Sequence, residues 1–270
     1  MTTQALKQTY PKYISLFFLC LSGVLLVGLQ QHVAGWSAVI IGIALTWIIN
    51  KPSVARELFL PFISVSIMGI TPISTNISPE HIVAMGSALG LALILPFLIS
   101  RFIYKENKIT YNLHIPHKWK PIRYGYILFA LALSYLVIPF YLKTSGVYHN
   151  WPVMPGFANL FILFLGTNLL GMWDEFFFVS TTLGILKRYF PFLTANIATT
   201  IVFTSFLYEL GFRGWGFLIV PIFCFLQGWV YNKTNDLVYV IAIHLTVDFV
   251  LYFALLHANY PSWIPIFITG

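Results

Sequence analysis

The sequence predicts an all-α fold: a polytopic bundle of about eight or nine transmembrane helices with a cytoplasmic N-terminus. Three observations carry this. Of the 270 residues, 59% are hydrophobic and only 9% charged, with a mean hydropathy of +0.82. Soluble domains carry roughly a quarter charged residues, so too little polar surface exists to coat one. Apolar runs near the ~20 residues needed to cross a bilayer recur along the chain. The basic residues fall in the short gaps between those runs, as membrane proteins display them.

The first run, 13–30, follows Lys7 and Lys12 and no small-x-small cleavage site comes after it. It therefore reads as a retained helix and not as a signal peptide. Runs at 33–49, 58–76, 82–100 and 124–142 follow, then a long stretch at 157–186, then 192–210, 215–232 and 237–256. The run 58–76 contains Pro61 and Pro72, a pattern that also suits a re-entrant segment. Charge parity decides for a crossing. With the N-terminus inside, Lys7, Lys12, Lys51, Arg56, Arg101, Lys105, Lys108, Lys118, Lys120, Arg123, Lys187, Arg188 and Lys233 are cytoplasmic, against Lys143 and Arg213 outside. Dropping one span would scramble that bias.

The basic loop 101–123, with His114 and His117, is the longest inner connection. A solvated face beside anionic lipid accounts for it, with phosphate or substrate binding as the alternative. The chain divides into an N-terminal set of spans with this loop, 1–123, and a membrane core, 124–270. A multi-pass protein of a plasma or bacterial inner membrane is expected, with the lipid bilayer as its surroundings. The net charge of +7 does not indicate nucleic acid, which requires a basic face on a soluble domain. Cys20 and Cys224 lie in apolar segments, so no disulfide framework or thiolate metal site is indicated.

Only eight acids occur, and Asp174, Glu175, Glu209 and Asp248 sit inside long apolar runs. Acids in the bilayer core are costly and face a cavity or a partner. From the helical rise, Glu175 lies ~18 Å from Lys187, Asp248 ~18 Å from Asp236, and His244 ~12 Å from it. Glu209 comes out deeper, ~27 Å from Pro191. His244 and Asp248 are four apart and share a helix face. Asp174 and Glu175 are adjacent, so both can border one cavity from different directions. Thr167 and Asn168 lie two turns earlier on the same two faces, making a polar stripe.

These residues carry a resemblance. Asp174-Glu175-Phe-Phe-Phe-Val179, Ser205-Phe-Leu-Tyr-Glu209-Leu-Gly211 and His244-Leu-Thr-Val-Asp248 resemble the three motifs of the CPBP family, the CAAX-protease and bacteriocin-processing (Abi) membrane proteins. Those motifs are Glu-Glu-x-x-x-Arg, Phe-x-x-x-His and His-x-x-x-Asn. Gly228-Trp-Val-Tyr231 looks like the family helix preceding the third. The likeness covers roughly 158–256 and departs at Val179 for Arg, Glu209 for His and Asp248 for Asn.

The resemblance implies an intramembrane endopeptidase acting on a peptide or membrane-protein substrate. Glu175 would be the general base with Asp174 as its orienting partner, and His244 would donate to the oxyanion. Glu209 and Asp248 could donate only when protonated. Four carboxylates and an imidazole cannot all stay ionised in a low-dielectric site. Either the acids share protons or a divalent cation such as Zn²⁺, Mn²⁺ or Ca²⁺ is held, and no spacing selects an element. Two other classes remain open: a catalytically inactive immunity or membrane partner protein, motivated by the departures, and a proton or cation transporter, motivated by the buried acids.

Overall fold

The computed structural model describes residues 3–113, 118–151 and 153–269; His114 and His117 lie outside them. Among the described residues there are nine helices and no strand. Helix α1 runs Thr3–Ser22 and continues through a π-helical turn, Gly23–Gly28. Then come α2 (His32–Ile49), α3 (Pro52–Ile70), α4 (Pro79–Ile103), α5 (Pro121–Ser145), α6 (Phe157–Leu186), α7 (Phe192–Glu209), α8 (Gly216–Thr234) and α9 (Leu237–Asn259). One helix stands for each apolar run, and the chain is an integral, multi-pass membrane protein.

Seven helices are long and apolar enough to cross a membrane; α7 and α8 are the other two. The reason is visible in α7. Its Asn196, Thr199, Thr200 and Ser205 are buried, so this helix faces protein on most sides and need not be lipid-like. Small residues of α1 make that packing possible: a Cβ on Gly23 or Gly28 would press on Val202 or Ser205 of α7.

The third crossing is shifted toward the N-terminus of the run expected at 58–76. Pro52 occupies the first helical turn after an extended Lys51, and the chain turns extended at Thr71, just before Pro72. Proline suits the first position, where its missing N–H is not needed, and disfavours helix in the residue before it. Pro61 is absorbed inside α3.

The basic residues expected on one side converge at one end of the bundle. Lys12 donates to the Tyr189 carbonyl at 2.6 Å. Glu57, 1% exposed, pairs with Lys108 and, at 3.0 Å, with Arg188. Asp236 caps α9 by accepting from the Tyr239 N–H at 3.0 Å, and pairs with Arg123 at 2.6 Å. At the opposite end, Glu209 pairs with Arg213 at 3.1 Å and Tyr141 donates to the Arg213 carbonyl at 2.7 Å.

The loop 101–123 is not simply a solvated face. Its segment 104–113 crosses the basic end as a strap. Ile109 is buried, and the Tyr111 ring lies edge-on to Phe176 at 5.3 Å. The Tyr111 hydroxyl meets that of Thr181 at 3.2 Å, and Asn112 donates to the Asn235 carbonyl. Partial burial alone would lower the Lys108 pKa, yet hydrogen bonds and charge attraction from Glu106 and Glu57 hold it above its ordinary value.

Candidate active site

Helix α6 changes character where its acids begin. It is α-helical to Asp174, π-helical over Glu175–Thr182, and α-helical again to Leu186. Single-turn π segments are frequent at functional sites. Here Phe-Phe-Phe-Val-Ser-Thr-Thr crowds bulky and β-branched side chains into the wide turns. The Thr181 hydroxyl donates back to the Phe176 carbonyl at 2.9 Å, five residues earlier. Asp174 and Glu175 stand at the junction of the two geometries.

A neighbouring glycine lets the next helix approach. A Cβ on Gly171 would occupy the space of the Asp248 carboxylate and crowd His244. Helix α9 therefore lies close on α6 and delivers His244 and Asp248, one turn apart, opposite the acid pair. Gly228 does the same between α8 and α7, where a Cβ would meet Asn196.

The four side chains are buried: Asp174 at 2% exposure, Glu175 at 0%, His244 at 4% and Asp248 at 6%. His244 is the centre. Its Nδ1 lies 2.6 Å from Glu175 Oε1, and its Nε2 lies 4.0 Å from Asp174 Oδ2 and 3.8 Å from Asp248 Oδ1. Gln227 of α8 also donates to Glu175 Oε1, at 2.7 Å. An ionised Glu175 accepts from both, which places a hydrogen on Nδ1 and turns Nε2 toward the two aspartates. The Phe223 ring stands edge-on to the imidazole at 4.9 Å.

A cavity of about 360 Å³ lies beside this cluster, between α5, α6, α7, α8 and α9. Asp174, His244, Asp248, Thr167 and Gln227 line it, and Glu175 does not. The remaining wall is largely apolar. At its rim Phe129 and Leu133 of α5 and Ile222 of α8 are exposed, so the cavity opens toward lipid. Asn168, of the expected stripe, instead donates to its own helix at the Phe164 carbonyl.

Glu209 is not brought to this cluster. It closes α7 at the far end, accepting from Gln30 at 2.8 Å and pairing with Arg213. The α7 residues that reach the site are apolar: Leu207 lines the cavity and Phe203 faces His244. The depth of ~27 Å obtained from the helical rise already placed Glu209 beyond the other acids. Gln227 was missed from the sequence. Its signal was an amide in the middle of an apolar helix, directly before Gly228-Trp-Val-Tyr231. Val179, in the place of the family arginine, is buried in an apolar cluster with Tyr231 and Val240. Among the described residues, no group of three or more His, Cys, Asp and Glu side chains is arranged to hold a metal ion.

Comparison with known proteins agrees with the motifs. Residues 156–250 match the model of the type II CAAX prenyl endopeptidase Rce1-like family. The matched segment contains α6 from its start, α7, α8 and most of α9, and thus all four clustered residues. At the level of that family, the match supports an intramembrane protease of the CAAX type. No curated protein and no solved structure matched the chain.

Proposed function

We propose that the protein is an intramembrane endopeptidase in which a carboxylate activates water against a peptide bond held in the lipid-facing cavity. One observation carries the reading most: Asp174 borders the cavity beside an imidazole that Glu175 and Gln227 fix from behind. That arrangement supports exchanging the roles expected of the acid pair. Asp174 is the base, and Glu175 is the positioning residue.

In the reaction, Asp174 takes a proton from water as the oxygen adds to the peptide carbonyl. His244, protonated on both ring nitrogens, donates through Nδ1–H to Glu175 and presents Nε2–H to the oxyanion, a fixed donor in a low-dielectric site. The proton on Asp174 then passes to the leaving amine as the C–N bond breaks. Asp248, four residues from His244, borders the same space. Glu209 has no part in this scheme.

The test uses full-length protein in nanodiscs with membrane-inserted peptides in H₂¹⁸O. Mass spectrometry should find one ¹⁸O in each new carboxyl group, and Asp174→Asn should slow its appearance by about 10²–10⁴-fold. Cleavage at an unchanged rate in that variant would sink the assignment.

A further inference from the structure

Two carboxyl groups and one imidazole, His244, line the cavity. Its lining includes Asp174 and Asp248, and among the described residues no lysine or arginine lines it. His244 serves three carboxyl groups at once. With any two of those three groups ionised, even a protonated imidazole leaves the cluster net negative. Asp174 Oδ1 and Asp248 Oδ2 are buried and without a hydrogen-bond partner. Buried carboxylate oxygens left unpaired are costly. Asp248 Oδ2 is lodged against Gly171, and a ligand that brings N–H donors or positive charge beside the two carboxyl groups relieves that cost. An anionic group in the same place meets repulsion that a low-dielectric surround strengthens. Beyond the acids the wall is largely apolar to the rim, where Phe129 and Ile222 are exposed.

Resting on the endopeptidase reading, we propose that the cavity selects an apolar segment bearing a cationic, donor-rich group, in a peptide the side chain of a lysine or arginine beside the scissile bond. It rejects a segment with a carboxylate there. The unpaired aspartate oxygens set the preference for the head group, and the lipid-open wall sets the preference for the chain.

The experiment reads binding without turnover. Full-length protein in phosphatidylcholine nanodiscs is titrated with three amphiphiles of one chain length, brominated on the chain: dodecylammonium, dodecanol and dodecanoate. Trp151 lines the cavity, so quenching that disappears in Trp151→Phe reports occupancy. Empty nanodiscs supply the correction for partition into lipid. The expected order is ammonium, alcohol, carboxylate, with the ammonium at least about tenfold tighter than the carboxylate. In Asp174→Asn/Asp248→Asn the ratio should fall toward one. A carboxylate that binds as tightly, no binding by any of the three, or a ratio that survives in the double variant would each overturn the proposal. If that variant does not fold, the head-group order on the unaltered protein decides. Absence of cleavage of any peptide would count against the endopeptidase reading and leave this affinity order to stand by itself.

Discussion

Glu175 holds His244 from behind: its Oε1 lies 2.6 Å from Nδ1, leaving Nε2 toward Asp174 and Asp248. The pair has the geometry of a carboxylate–histidine dyad, and on the proposed mechanism the acid fixes ring orientation and tautomer. Asp174→Asn should lower kcat by about 10²–10⁴, the scale of a lost general base. Glu175→Gln should cost about 10–100-fold, the scale of a lost orienting partner. Both rates come from one membrane-peptide assay. The opposite ranking would return the base to Glu175.

Gly171 is the hinge of the α6–α9 contact, since its missing Cβ is the room taken by the Asp248 carboxylate. Gly171→Ala should therefore destabilise the fold by about 1–3 kcal/mol, the usual cost of overpacking. Thermal unfolding in detergent measures this. Pairing it with Asp248→Ala should recover part of the loss, because the clash is with that side chain. A double variant that is only the sum of its parts would argue against the contact.

The sequence displayed what periodicity and composition encode. Nine apolar runs became nine helices because each must satisfy its backbone inside lipid. His244 and Asp248 could be placed on one face because their spacing is that of a helical turn. That Asp174 borders the cavity and Glu175 does not was not legible. It depends on the π-helical turns that begin at Glu175, and the usual helical phase does not hold through them. The strap at 104–113 was hidden for a different reason. Lysines, glutamate and asparagine resemble a solvated loop, and only the fold shows Glu57 buried beneath Lys108. Glu209 was grouped with the other acids by its place in an apolar run and by motif register, while α7 turns Leu207 and Phe203 to the site.

Glu209 gives a clean contrast. Its partners are Gln30 and Arg213 at the end of the bundle away from the strap, and Arg213 is about half exposed, with a side-chain exposure of 49%. The Glu209 side chain is itself 13% exposed, but with its cation half in solvent the pair contributes about 0–1 kcal/mol. Glu209→Gln should leave kcat within about threefold and stability within about 1 kcal/mol, read by the same cleavage and unfolding assays. A loss as large as that of Asp174→Asn would place Glu209 in the chemistry after all.

The Glu57 network makes an asymmetric prediction about stability. Glu57 is buried in α3, whereas its partners Lys108 and Arg188 are partly exposed, with side-chain exposures of 36% and 30%. Removing the acid frees two cations that can turn to water. Removing both cations strands a carboxylate with nowhere to go, and an uncompensated buried charge costs about 3–5 kcal/mol. Lys108→Ala/Arg188→Ala should therefore unfold at markedly lower temperature than Glu57→Ala. Adding Glu57→Gln to the double variant should restore much of the loss, because the stranded charge is gone. The strap would also loosen in the double variant, since Lys108 is its ionic tie to α3. Hydrogen exchange should then rise at Ile109 and Tyr111, which pack against the bundle. If instead Glu57→Ala were the most damaging change, the network would be acting through packing of the acid's side chain and not through its charge.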